Sequence, residues 1–339
     1  MLADREPVFR DGSTLFVSDP AIAKDVLALK PDIFENRALL GTIAPEVRDH
    51  RQQFRAFAKQ LDANQNAGVE LTAALEKHCG PDAFVSAALD RFGPSVVGDS
   101  YASVRDDALE FVLAGINRHY VRNRDSRRVA LNARFFDRMG KLAGAIDNTD
   151  TLAYQIVSSA SSSAPSQVGR LIAAGLMSVS APPGIAASWL AFELRAGGLL
   201  EHFDASWDDE HVVREILRMR PPGWTHGRVV IRSGQVGGHE VRVGDDVIVP
   251  LGFMQTSERY WAEGLRFDPH RWKSTDLKSA VFFPFGVGSR SCVGGALGSR
   301  FLKDTWGALK LMKPNVKRMY ASRYRIGPLY APPNFTVAR

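Results

Sequence analysis

The segment FFPFGVGSRSCVGGALG, residues 282–298, holds the residues best suited to chemistry. Cys292 sits among Gly286, Gly288, Gly294 and Gly295. Glycines allow tight turns and let backbone approach a flat ligand closely. An apolar helix is expected to start near Cys292 and run to about residue 312. Its first N–H groups have no partner inside the helix, so they would favour an anionic sulfur. Arg290, two residues before the cysteine, adds a cation. The segment is built to hold a thiolate. A small buried cysteine in a glycine-rich turn is the plain alternative for a cysteine taken alone, but it leaves the rest of the spacing unexplained.

That spacing is Phe285-x-x-Gly288-x-Arg290-x-Cys292-x-Gly294. It resembles the heme-binding signature of the cytochrome P450 family, with every defining position present. The resemblance implies heme b (iron protoporphyrin IX) as cofactor, with Cys292 as the axial iron ligand. It also implies Phe285, Gly286 and Gly294 along the loop beside the heme, and Arg290 on a propionate. A thiolate ligand pushes electron density onto iron and favours O–O cleavage.

Further segments agree with the family in order. Glu215-Ile-Leu-Arg218 resembles its Glu-x-x-Arg, and the i,i+3 spacing places both side chains on one helix face. Phe267-Asp-Pro-His-Arg271-Trp272 resembles its Phe-x-Pro-x-Arg stretch, so Arg271 would complete a Glu-Arg-Arg cluster bracing the cysteine loop. Arg228 matches a propionate-binding position, and Arg51 and Arg55 match the heme-facing positions of an early basic helix. The implied fold is mainly α with small β sheets (α+β), the triangular single-domain P450-like fold, over residues 1–339.

Two departures stand out. The chain is shorter than typical soluble members, and the stretch between Phe34 and Arg51 leaves little room for a substrate-covering loop. Family monooxygenases also carry an acid–alcohol pair on the central helix, which delivers protons to oxygen. Here that helix reads Ala174-Gly-Leu-Met177-Ser178-Val-Ser180-Ala181-Pro182-Pro183-Gly184, and neither register, with Met177 and Ser178 or with Ala181 and Pro182 in those places, supplies a carboxylate. Ser178 and Ser180 are the candidate catalytic hydroxyls. Both can equally be core serines bonded to a backbone carbonyl. The two prolines would leave carbonyls able to hold a water.

The resemblance therefore implies a heme-thiolate oxidoreductase, a monooxygenase or oxidative-coupling enzyme of specialised metabolism acting on a small-molecule or carrier-bound substrate. A peroxide-using enzyme, an isomerase or dehydratase needing no dioxygen, and a non-catalytic heme-binding protein stay open. No flavin or nicotinamide fingerprint is present, so electrons would come from a ferredoxin or flavodoxin with a separate reductase. Arg290, Arg300 and Lys303 would suit an acidic carrier.

The elements that must position these residues are legible in part. PVF, Arg10-Asp-Gly12 and TLFVS read as a hairpin. Asp19 caps a helix with Pro20 at its first position. Residues 45–61 look helical and basic, and 66–145 mostly helical. Residues 167–200 read as a long buried helix interrupted by Pro182-Pro183, which remove two backbone donors and should kink it. Residues 208–219 form a capped helix stopped by Pro221-Pro222, residues 228–250 read as β, and the tail 319–337 as short strands. The Ser-rich patch 158–166 reads as a loop or a helix start.

Composition is ordinary for a globular protein, 45% hydrophobic and 24% charged. The formal charge of +6 comes without a basic block or a nucleic-acid motif, so nucleic acid is not expected as a partner. Two cysteines, Cys79 and Cys292, preclude a disulfide framework and suggest a reducing compartment. With no apolar signal core at the start and no run of 18 apolar residues, the expectation is a cytoplasmic protein without a membrane anchor.

Overall fold

The computed structural model describes residues 6–36, 51–63, 80–116, 126–159, 164–196, 206–288, 291–312, 325–326 and 329–332. The chain divides into two compact units, one built from 1–41 and 201–292, the other from 42–200 and 293–339. Arg290, His50 and Cys79 lie outside the described residues.

The first unit centres on a five-stranded sheet. Strands β1 (Val8–Asp11) and β2 (Thr14–Val17) form the expected hairpin, with Gly12 in the left-handed conformation its turn requires. The sheet is completed by β3 (Phe34–Asn36), β4 (His226–Val230) and β7 (Asp246–Val249), in the order β1-β2-β7-β4-β3. A small hairpin pairs β5 (Gly234–Val236) with β6 (His239–Val241). Inward residues Leu15, Val17, Val230, Val247 and Val249 are fully buried, so the period-2 pattern supplies the core. Helix α1 (Pro20–Leu27) starts as read, its Asp19 carboxylate accepting from the N–H groups of Ala21 and Ile22 at 2.9 and 3.0 Å.

The second unit is helical. It contains α2 (Arg51–Ala63), α3 (Pro81–Val97), α4 (Tyr101–Ile116), α5 (Ser126–Ala143), α6 (Leu152–Ser159) and α7 (Pro165–Ala196). The first unit also holds α8 (Asp209–Met219) and the short α9 (Leu251–Met254), and α10 (Gly295–Met312) belongs to the second. Of the tail, expected to form short strands, Arg325–Ile326 and Tyr330–Ala331 are strands that pair with each other, and the rest lies mostly outside the described residues.

Helix α7 is the axis of its unit, packed against α3 and α5. A Cβ on Gly184 would come within 2.5 Å of Val85 Cα, and one on Gly169 would collide with the Phe136 carbonyl. Only glycine permits that backbone approach. The helix continues through Pro182 and Pro183. Burial along both flanks holds it together where local hydrogen bonds are missing. By length and apolarity α7 could cross a bilayer, but 89% of its most apolar window is buried inside the protein. That is the pattern of a core helix.

Candidate functional site

In the first unit the cysteine is held at the end of a chain of hydrogen bonds. Its sulfur is an exposed thiol. Its N–H donates to the Phe285 carbonyl at 2.7 Å, which closes the loop across seven residues. Within that loop the Gly286 N–H donates to Phe283 O at 2.9 Å and the Ser291 N–H to Gly288 O at 3.2 Å. Gly286 and Gly288 both have positive φ, 68° and 66°, and a Cβ on Gly288 would lie 3.0 Å from Ala28 Cβ. The left-handed turn and the close neighbour together explain why glycine is needed there. Phe283 and Val281 anchor the entry to the loop in the sheet core, and Phe285 is half-buried.

The expected Glu-Arg-Arg cluster forms. Glu215 and Arg218 are fully buried on α8. The Glu215 carboxylate accepts from Arg218 Nε and Nη2 at 3.0 and 2.8 Å. It also accepts from Arg271 Nε at 3.0 Å, the Asp268 N–H at 2.9 Å and Trp272 Nε1 at 3.0 Å. Arg218 gives its remaining protons to the carbonyls of Gln255, Gly264 and Arg266. A buried ion pair survives only when its leftover donors and acceptors are satisfied, as they are here. The motif reading found Glu215, Arg218 and Arg271, but not the roles of Asp268 and Trp272 at the same carboxylate. Their place in the Phe-x-Pro-x-Arg stretch was the only available signal.

Arg228 is buried on β4, where its Nε and Nη2 donate to the carbonyls of Val26 and Leu27 at 3.2 and 2.9 Å. These are the last carbonyls of α1, so the guanidinium caps that helix end. Two residues earlier on the same strand, His226 Nε2 is buried and has no hydrogen-bond partner among the described residues. Burial first, and then the charge of Arg228, push its pKa down to about 4. Sequence reading passed over this histidine.

In the second unit, α7 shows a single opening. Between Val168 and Leu194 only Ser178 is exposed, with Pro182 one turn further on half-buried. Ser180 is fully buried and donates from Oγ to Leu176 O at 2.6 Å, the back-bond of a core serine. The two candidate hydroxyls therefore have different surroundings. Pro182 and Pro183 have no N–H to give to the carbonyls of Ser178 and Val179. Met177 is buried, and the first carboxylate along α7 is Glu193. Arg51 opens α2 and Arg55 is exposed on it, opposite the buried Phe54, Phe57 and Leu61. A Cβ on Gly294 would meet open space.

Among the described residues no cluster of three or more His, Cys, Asp or Glu could hold a metal ion. An exposed cysteine on a glycine loop closed by its own N–H offers one sulfur donor to a metal brought by a prosthetic group, and that donor fits a heme iron.

Comparisons with known proteins agree. The family model described as Cytochrome P450 matches residues 210–303. The putative cytochrome P450 135B1 of Mycobacterium bovis is 34% identical over 83 residues, 24% of this chain and 18% of that protein. The cyclooctat-9-en-7-ol 5-monooxygenase of Streptomyces melanosporofaciens is 30% identical over 89 residues, 25% of this chain and 19% of its own length. The chain thus matches about a fifth of the length of these curated relatives. In fold the likeness extends much further. P450BioI, solved in complex with hexadec-9Z-enoic acid ligated acyl carrier protein, superposes with a TM-score of 0.79 at 16% identity, covering 98% of this chain and 95% of that one. The helical architecture with small sheets is the cytochrome P450 fold. Residues 210–303 are similar to the cytochrome P450 family, and the fold is shared with cytochrome P450 structures.

Proposed function

We propose that the protein is a heme-thiolate oxidoreductase, a monooxygenase or oxidative-coupling enzyme in which Cys292 is the axial ligand of heme b. The observation that carries this reading is the exposed Cys292 thiol, held by its own N–H on Phe285 O. Bound heme would supply oxygen activation, favoured by the electron push of a thiolate. The loop fixes the sulfur and Gly288 keeps the turn tight. Arg228, Arg290, Arg51 and Arg55 are the proposed propionate partners, and Phe285, Gly286 and Gly294 line the proposed cofactor-binding loop.

On α7 the exposed Ser178 hydroxyl, with the carbonyls of Ser178 and Val179 that Pro182 and Pro183 leave without an N–H, would hold a water. A proton held there would take the place of the usual carboxylate relay. Ser180 supports the helix instead. Electrons would come from a ferredoxin or flavodoxin in the cytoplasm. A small organic or carrier-bound substrate is supported by the names of the monooxygenase relative and of the acyl carrier protein complex.

A second reading, peroxide use, is favoured by one observation: α7 carries no carboxylate before Glu193. A substrate carboxylate would then act as the base.

The test is the spectrum of the reduced protein with carbon monoxide. A strongly red-shifted Soret band that disappears in Cys292→Ala is expected. A band typical of nitrogen ligation, or no heme retained, would overturn the reading. Product formed with hydrogen peroxide alone, at a rate matching the reductase-supported reaction, would favour the second.

A further inference from the structure

We propose that Gln255 is the positioning residue that ties the buried Glu215–Arg218 brace to the thiolate loop. The inference rests on Cys292 being the working group of the site. The side chains of Arg218 and Arg271 donate to Glu215 and to carbonyls along 255–266, short of the loop. The side-chain amide of Gln255 spans the gap.

Gln255 is fully buried just after α9. Its Oε1 accepts the Phe283 N–H at 2.7 Å. Its Nε2 donates to the carbonyls of Leu217 and Arg218, each at 3.1 Å. Its own backbone carbonyl accepts from Arg218 Nη1 at 2.7 Å. The acceptor and both N–H protons of the amide are used, and the partners fix its orientation. Flipped, it would set N–H against N–H and oxygen against two carbonyls.

The sequence explains why an amide is required. The carbonyls of Leu217 and Arg218 would ordinarily accept from residues 221 and 222 had the helix continued. Both positions are proline, with no N–H to give. The stop signal of α8 therefore leaves two buried carbonyls needing a donor, and a carbonyl so placed is costly to leave unpaired. Gln255 supplies both donors from one nitrogen. Its oxygen then faces the loop, where Phe283 leads through the Gly286 turn to Phe285, the acceptor of the Cys292 N–H. A leucine would satisfy none of these groups, and a glutamate would present oxygen to two carbonyls.

The experiment compares the full-length purified protein with Gln255→Leu, Gln255→Asn and Val230→Ala. Val230 is a fully buried core residue of the same unit, so Val230→Ala controls for general destabilisation. Gln255→Asn is one methylene too short to span both sets of partners and disturbs packing less, so it covers failure of the leucine variant to fold. Two readouts are used, well below each variant's melting temperature. They are amide hydrogen exchange of the peptides spanning 281–292, and the fraction of thiolate-type Soret band in the reduced carbon monoxide complex. Both Gln255 variants should exchange about tenfold faster in that segment and lose thiolate-type band. Val230→Ala should lower melting while changing neither readout. Wild-type protection in the Gln255 variants, or equal loosening in Val230→Ala, overturns the proposal. If the wild type gives no thiolate band, the heme-thiolate reading fails, and the exchange comparison still decides what Gln255 does.

Discussion

Arg271 reaches Glu215 at 3.0 Å across 56 residues of sequence, joining a carboxylate that already accepts Arg218 and the indole of Trp272. Five donors converge on this one fully buried group. Replacing Glu215 with Gln removes the charge and turns one acceptor into a donor facing other donors. Glu215→Gln should destabilise the protein by about 3–5 kcal/mol, because it leaves buried guanidinium charge uncompensated. Urea denaturation followed by tryptophan fluorescence measures it. A loss below about 1 kcal/mol would mean that the cluster is not a structural brace.

The two serines of α7 separate in the same kind of test. Ser180→Ala removes only the back-bond to Leu176 O, so it should change stability by under about 1 kcal/mol and leave turnover intact. Ser178→Ala removes the hydroxyl at the exposed position and should slow product formation by about 10²-fold, with a larger solvent isotope effect. Its melting temperature should stay unchanged. Equal turnover by the two variants would remove Ser178 from the proton path.

His226 gives the protein a pH dependence whose sign is fixed. Its pKa falls to about 4 in the folded chain against 6.5 for the free side chain. As pH drops below about 6.5 the unfolded chain takes up a proton that the folded chain does not. Stability from this group is therefore intact above about pH 6.5 and declines until about pH 4. Between about pH 7.5 and pH 5 the loss should be about 2 kcal/mol. Comparing urea midpoints of the wild type and His226→Phe at both pH values isolates it, since the variant lacks that share of the slope.

Arg228 caps α1 through Val26 and Leu27. Arg228→Gln should therefore cost about 1–3 kcal/mol even in heme-free protein, since it strips donors from buried carbonyls. If the cost appears only with heme bound, contact with a propionate is its main role.

Local chemistry made much of the fold legible in the sequence. The Asp11-Gly12 turn, the Asp19-Pro20 start of α1 and the Pro221-Pro222 stop of α8 depend on the preferences of single residues, and each appears where read. The motif around Cys292 was legible for the same reason. Its glycines answer to backbone conformation, and Gly288 shows that need directly. The Glu-Arg-Arg cluster was legible only through resemblance, since an i,i+3 pair on a helix is more often a surface ion pair.

Burial and long-range pairing were settled by tertiary structure. Ser178 and Ser180 have the same side chain two residues apart, and only the packing around α7 exposes one and buries the other. The same packing carries the helix through Pro182-Pro183, where two backbone donors are missing. Gln255 bears no sequence mark, because its partners lie 28 to 38 residues away. A sequence determines directly what a residue does to its own backbone. Which carbonyl lacks a donor, and which distant amide supplies it, is decided only when the elements pack.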